Sequence, residues 1–203
     1  MAPKAKIFDK YIVMELQLGN IDRCRKLYIK YLEWSPQNCY AWIKYAELEN
    51  ILSEKERARM LFEEAIRQPQ LDMPELLWKV YLEFEISEKE FERTRQLYER
   101  LLDRKMDLKV WISYAKFEAE GEANDSLLEE EKKKQCIQHA RRVFERADNC
   151  LNAPELKEAR SALLEEWLNM EASFGDLEEP QMTDNIKILE AAYRWKKQKC
   201  EED

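Results

Sequence analysis

Glycine is scarce in this chain, and so is almost everything that common catalytic and phosphate-binding loops are made from. Three glycines and six prolines among 203 residues leave little material for tight turns, and GxxxxGK[ST], GxGxxG, HExxH and GxSxG are all absent. The single histidine, His139, stands where Arg23, Arg57 and Arg93 recur elsewhere in the chain, so it reads as a surface substitution rather than a general base. The five cysteines (Cys24, Cys39, Cys136, Cys150, Cys200) are odd in number and form no CxxC pair. Neither a disulfide framework nor a zinc site is indicated, and reduced thiols are expected. No run of 18 apolar residues occurs, and the N-terminus lacks the charged, apolar, small-residue order of a secretory signal. These absences predict no enzyme activity, no cofactor, no metal, no small-molecule substrate and no membrane partner.

What is abundant is helix-forming sequence: 45% hydrophobic, 11% aromatic and 37% charged residues with little Gly or Pro. It is organised as a repeat. The first half of each unit reads Phe8-x-x-Tyr11-x-x-Met14-Glu15, Trp42-x-x-Tyr45-x-x-Leu48-Glu49, Trp78-x-x-Tyr81-x-x-Phe84-Glu85 and Trp111-x-x-Tyr114-x-x-Phe117-Glu118, with a fainter Leu164-x-x-Trp167-x-x-Met170-Glu171. The second half reads Arg23-Cys24-Arg25-x-Leu27-Tyr28, Arg57-Ala58-Arg59-x-Leu61-Phe62, Arg93-Thr94-Arg95-x-Leu97-Tyr98 and His139-Ala140-Arg141-x-Val143-Phe144. Spacings of three and four place the apolar groups on one helical face. Each unit is therefore a helical hairpin, and a hairpin with so large an apolar face must stack on its neighbours.

The glutamates recur at intervals of 34, 36, 33 and 53 residues. In the first three units an arginine follows ten residues later (Glu15 to Arg25, Glu49 to Arg59, Glu85 to Arg95), whereas Glu118 to Arg141 spans 23. The fourth unit thus carries a charged insert over 119–135, read as a solvated loop leading into a lengthened second helix, with a docking segment for a basic partner as its functional alternative. Gly19, Gly121 and Gly175 fall just beyond Glu15, Glu118 and Glu171, where a helix ends in left-handed backbone. Each glutamate is expected to face an arginine or free amide groups of its hairpin's second helix, a structural pairing rather than a catalytic one. Cys24, Ala58, Thr94 and Ala140 are small where the two helices of a hairpin approach. The aromatic ladder is expected to be core.

A formal charge of −8 disfavours a protein whose main task is gripping a nucleic-acid backbone. The basic cluster Arg194-Trp195-Lys196-Lys197-Gln198-Lys199 reads as a solvated last helical turn, with nuclear import or a local phosphate contact as its functional readings. Ten helices in five antiparallel pairs are expected: an all-α, right-handed superhelical solenoid. Its array covers 1–175, with units near 4–35, 36–71, 72–106, 107–152 and 154–200, followed by a C-terminal helix and acidic tail over 176–203.

With Trp42 as the fourth position of a 34-residue unit, Ala58, Phe62 and Ala65 fall in tetratricopeptide-like register, yet Ala46 or Leu82 and Glu49 or Glu85 stand where that repeat carries a glycine-like residue and an aromatic. The departure resembles the half-a-tetratricopeptide (HAT) pattern, which is concentrated in RNA-processing assemblies. Lys6-Ile7-Phe8-Asp9-Lys10-Tyr11, Asp22 to Tyr28, Leu71 to Lys79 and Val110 to Tyr114 further resemble the Crooked neck family of pre-mRNA splicing factors. Members are considerably longer, so the resemblance implies a C-terminal fragment of a nuclear scaffold in the spliceosome's nineteen complex. Its partners would be other spliceosomal proteins, with local or indirect RNA contact left open. The alternative is a HAT scaffold of mRNA 3′-end or ribosomal-RNA processing. A chaperone adaptor gripping peptide C-termini fits poorly, because first-helix sites that would need basic groups carry Lys44, Val80 and Ser113.

Overall fold

In a computed structural model, residues 3–121, 129–151 and 156–173 are described. All secondary structure among them is helical: α1 (Pro3–Gln17), α2 (Ile21–Trp34), α3 (Cys39–Ile51), α4 (Lys55–Arg67), α5 (Pro74–Ser87), α6 (Phe91–Arg104), α7 (Leu108–Glu120), α8 (Glu129–Cys150) and α9 (Lys157–Ser173). No described helix is long and apolar enough to cross a membrane. The tenth helix and acidic tail expected over 176–203, Gly175, Cys200 and the basic cluster at 194–199 lie outside the described residues. The chain divides into two compact parts, Met1–Glu90 and Phe91–Asp203. Their boundary falls inside the unit expected at 72–106, between α5 and α6.

Within the first part α1 packs on α2, α2 on α3, and α3 on α4, while α5 lies against both α3 and α4. Within the second, α7 packs on α6, α8 and α9, and α9 also meets α8. First helices therefore have neighbours on several sides, and their burial shows it. In α3 the buried residues Ala41, Trp42, Ile43, Tyr45, Ala46, Leu48 and Glu49 go around the helix. In α4 burial is confined to the stripe Ala58, Arg59, Phe62, Ala65 and Ile66, the pattern of a helix with one wet face. Cys24, Ala58, Thr94 and Ala140 are fully buried. The Cys24 thiol lies 3.8 Å from the Ile12 carbonyl oxygen of α1, so a larger side chain would push α1 and α2 apart.

The turns after α1, α3 and α5 share one hydrogen-bonding scheme. Asn20 N–H donates to the Glu15 carbonyl at 2.9 Å, Glu54 N–H to Glu49 at 2.9 Å, and Glu90 N–H to Glu85 at 3.0 Å. Inside these bonds Gly19 N–H donates to Leu16 at 3.0 Å, Ser53 N–H to Asn50 at 2.9 Å, and Lys89 N–H to Ile86 at 3.0 Å. This is the Schellman pattern, with the repeated glutamate three residues before the helix cap. It requires a left-handed residue, supplied by Gly19 at φ 72° but by Ser53 at φ 62° and Lys89 at φ 59° in the next two units. Sequence reading located Gly19 and Gly121, the latter at φ 28°. It missed Ser53 and Lys89, because two backbone hydrogen bonds can hold an ordinary residue in a conformation that its own preference disfavours by about 1–2 kcal/mol.

Linkers between units are also tied down. Asp72, between α4 and α5, accepts from Cys39 N–H at the start of α3 through Oδ1 at 2.9 Å, and its own N–H donates to the Gln37 carbonyl at 2.9 Å. A carboxylate at a helix N-terminus also complements the dipole. Asn38 caps α3 by accepting from Ala41 N–H at 2.9 Å, and Pro74 opens α5 where a missing N–H costs nothing. The lengthened second helix expected after the insert is present as the 22-residue α8, but it starts within the stretch 119–135, which reads as loop in the sequence. Helix α7 runs to Glu120 and α8 begins at Glu129, so residues 129–135 extend the second helix rather than a loop; residues 122–128 lie outside the described set. Glu129 to Lys134 contains good helix formers only, which is the physical reason.

A Cβ at Gly19 would meet nothing within 4 Å, whereas one at Gly121 would sit 2.2 Å from the Cys136 sulfur. Gly19→Ala should cost about 1 kcal/mol, from backbone strain alone. Gly121→Ala should cost more, about 2–3 kcal/mol, because α8 must also move. Equal shifts in urea melts of the two variants would contradict this close approach.

Candidate functional site: the repeat junctions

The repeated glutamates end their helices almost completely buried: Glu15, Glu49, Glu85, Glu118 and Glu171. A carboxylate taken out of water must be paired. Glu49 Oε1 and Oε2 accept from Arg25 Nε and Nη2, both at 2.8 Å. Glu85 accepts from Arg59 Nε at 2.8 and 3.0 Å. Glu118 accepts from Arg95 Nε at 2.8 Å and Nη2 at 3.1 Å. Glu171 accepts from Arg141 Nε at 2.8 Å and Nη2 at 3.0 Å. Three of the four pairs are the bidentate fork that suits guanidinium to carboxylate.

These pairs correct the sequence expectation. The arginine ten residues after a glutamate does not turn back to it; it reaches forward to the glutamate of the following unit. Helical geometry explains why. Arg23 and Arg25 are two residues apart, hence about 200° apart around α2. Arg23 faces α1 and lies 3.5 Å from Glu15, while Arg25 faces α3. Arg57 repeats the first role, 3.7 Å from Glu49, and His139 stands at that position 3.7 Å from Glu118. The expected amide partner exists in the first unit, where Asn20 Nδ2 donates to Glu15 Oε2 at 2.7 Å. Glu15, Glu49 and Glu118 thus have a long contact within their own hairpins, and Glu49, Glu85, Glu118 and Glu171 have a short charge-assisted one to the hairpin before.

An aromatic pair accompanies every forward ion pair. Three residues beyond each arginine and four before each glutamate, Tyr28 stacks on Tyr45 with centroids 5.0 Å apart and planes within 5°. Phe62 stacks on Tyr81 at 4.8 Å and 12°, Tyr98 on Tyr114 at 4.7 Å and 8°, and Phe144 on Trp167 at 5.3 Å and 8°. Hydrogen bonds finish the seam: Tyr81 Oη donates to Glu63 Oε1 at 3.0 Å, Trp167 Nε1 to Glu171 Oε1 at 3.1 Å, and Tyr98 Oη bonds Ser113 Oγ at 2.9 Å. Trp42, Trp78 and Trp111 are buried core; Trp42 Nε1 donates to the Pro36 carbonyl at 2.8 Å. Arg146 lies over the Trp111 ring at 5.4 Å and forms a fork with Glu99 at 2.7 and 2.8 Å. Phe8 stacks on Tyr31 inside the first hairpin, and Tyr11 is half exposed.

This arrangement binds helices to one another. As acceptors, the Glu49 and Glu118 carboxylates hold the Arg25 and Arg95 protons more firmly than in water, and Glu85 does the same for Arg59. Burial pushes the Tyr28 and Tyr114 phenols up. Burial also pushes the Cys39 thiol up to about 11, the Met73 backbone acting in the opposite sense, and raises Cys24, with Glu15 adding to the effect. Neither has the electropositive, exposed setting of a reactive thiolate. Among the described residues no cluster of His, Cys, Asp or Glu could hold a metal ion. An open cleft of about 220 Å³ between α3 and α5 is rimmed by Glu47, Asn50, Glu83 and Ser87 over Phe84. Both of its carboxylates are paired, Glu47 with Lys44 at 2.6 Å and Glu83 with Lys79 at 3.7 Å.

The family described as PRP39 N-terminal HAT repeat matches residues 5–119. Human Crooked neck-like protein 1 is 48% identical over 184 residues, covering 91% of this chain and 20% of that protein. Drosophila melanogaster Protein crooked neck is 49% identical over 181 residues, covering 89% of this chain and 25% of that protein. Neurospora crassa pre-mRNA-splicing factor clf-1 is 44% identical over 211 residues, covering all of this chain and 30% of that protein. The chain therefore spans well under half the length of these relatives.

Two outcomes test the junction. Glu85→Gln should destabilise by about 1–3 kcal/mol, and a double-mutant cycle should couple it to Arg59→Met by about 1–2 kcal/mol but to Arg95→Met by less than about 0.5 kcal/mol. Coupling to Arg95 instead would restore the within-hairpin pairing. In the native protein at neutral pH a maleimide probe should label exposed Cys150 and spare Cys24 and Cys39; mass spectrometry showing early labelling of either buried thiol would contradict their packing.

Proposed function

Since this chain belongs to the HAT-repeat family, with Crooked neck and CLF1 pre-mRNA-splicing factors as homologues, we propose that it is a non-catalytic protein–protein interaction scaffold of the spliceosome. It works in the nucleus, within an assembly of the nineteen-complex type, and its direct partners are other spliceosomal proteins. The observation that carries this reading is where the repeated chemistry goes. Every forward-pairing arginine, every repeated glutamate and most of the stacked rings are consumed in joining one helix to the next, so the array supplies a surface held in shape rather than a reaction centre. The net charge of −8 favours protein over an RNA backbone as the direct ligand.

The test is affinity purification of the tagged chain from nuclear extract with identification of what co-purifies. Splicing proteins that survive nuclease treatment are the expected result. Cleavage-factor or pre-ribosomal proteins would instead favour the reading as a 3′-end or ribosomal-RNA processing scaffold. Binding to single-stranded RNA that weakens steeply as salt is raised from 50 to about 200 mM would replace protein by RNA as the ligand.

A further inference from the structure

The cleft between α3 and α5 carries polar groups that no junction uses. Asn50 stands one residue after the repeated glutamate of α3, where the other first helices carry Leu16, Ile86, Ala119 and Ala172. The repeat therefore does not call for an amide there. Asn50 lines the cleft, and among the described residues nothing pairs with its carboxamide. Glu47 of α3 and Glu83 of α5 line the same cleft. Each has one oxygen beside a lysine of its own helix, Glu47 Oε2 at 2.6 Å from Lys44 and Glu83 Oε1 at 3.7 Å from Lys79. Both pairs lie at the surface, where such contacts contribute little, and neither lysine lines the cleft. Glu47 Oε1, Glu83 Oε2 and Asn50 Oδ1 are thus three acceptors around one opening with no donor among the described residues. The ring of Phe84 lies in the same opening, tilted on Phe62 with centroids 5.5 Å apart.

We propose that this cleft is a recognition slot for a single arginine side chain on an extended segment of a partner protein. A guanidinium group is all donor, with five N–H bonds and no acceptor, so it complements an opening whose free polar atoms are acceptors. Its planar face suits an aromatic ring, where an ammonium group offers only a point charge. A volume of about 220 Å³ has room for one long side chain and not for a helix. The Asn50 Nδ2 group is left to donate to a backbone carbonyl of the same segment, which fixes its direction. A phosphate or a carboxylate would bring acceptors to acceptors. Both helices belong to the part Met1–Glu90, so the slot is complete within it. The inference deepens the scaffold reading by naming what one partner carries, and it rests on that reading only in taking the arginine from a protein.

The probe is N-acetyl-arginine methylamide, titrated onto the isotope-labelled full chain and followed by amide NMR. A saturable shift of the Asn50 side-chain NH2 resonance is expected. The Kd should rise about tenfold when Glu47→Gln and Glu83→Gln are combined, since two charge-assisted bonds weaken. It should stay unchanged when Glu33→Gln and Glu64→Gln are combined, which removes the same charge from exposed sites on α2 and α4. None of these carboxylates is buried, so the variants keep the fold, and their amide spectra without the probe check this. Absence of a saturable shift at Asn50 would overturn the proposal. Equal weakening by the two double variants, or binding of N-acetyl-lysine methylamide as tight as that of the arginine compound, would also overturn it by reducing the slot to attraction between charges. Any of these results would leave the scaffold reading standing, because co-purification from nuclear extract does not depend on this cleft.

Discussion

The interaction on which the rest of this structure depends is the buried arginine–glutamate pair that crosses from one hairpin to the next, with an aromatic stack beside it. Burial of Glu49 or Glu85 without a partner would cost several kcal/mol, so a hairpin cannot pack on its predecessor in a wrong register without exposing that cost. The stack next to it has the parallel-plane geometry that adds about 0.5–1.5 kcal/mol beyond area burial. Neither element need make the array very stable. Together they make one register better than its neighbours, which a surface of interchangeable leucines would do poorly.

The same pair explains the placement of the turns. Glu49 and Glu85 are each held twice: the side chain by the preceding hairpin, the carbonyl by the N–H five residues on in its own turn. Side chain and backbone of one residue therefore link neighbouring hairpins to the start of the second helix. That coupling lets Ser53 and Lys89 occupy left-handed backbone where a glycine would be the default choice. It also gives the array the nearest-neighbour character of repeat proteins, in which each unit is stabilised chiefly by the one beside it.

For function, the consequence is that the chemically suggestive residues are not on offer. Carboxylates, guanidinium groups and indoles recur at fixed sites because the junction recurs. What is left for partners is the outward surface: the acidic rim of the α3–α5 cleft, the wet faces of the second helices, and the apolar face of α1. These surfaces carry no repeated motif.

The sequence by itself determined that the chain is helical, that it is built of hairpins, where most of them turn, and which face of α3, α5 and α7 is core; in α1 the expected core residues Tyr11 and Met14 are exposed. Spacings of three and four between large apolar groups admit one solution, and Phe8, Trp42, Trp78, Trp111 and Trp167 mark it without help from the fold. It also singled out Arg25, Arg59, Arg95 and Arg141 as the partners of repeated glutamates. Tertiary structure alone decided which glutamate each one meets. The sequence interval of ten suggested the same hairpin. Two residues on a helix, however, point about 200° apart, so whether Arg23 or Arg25 turns inward depends on how α2 is rotated against α1, and packing sets that rotation. The left-handed Ser53 and Lys89 were likewise decided by the hydrogen bonds that close their turns, whereas the helical residues 129–135 follow from local helix propensity.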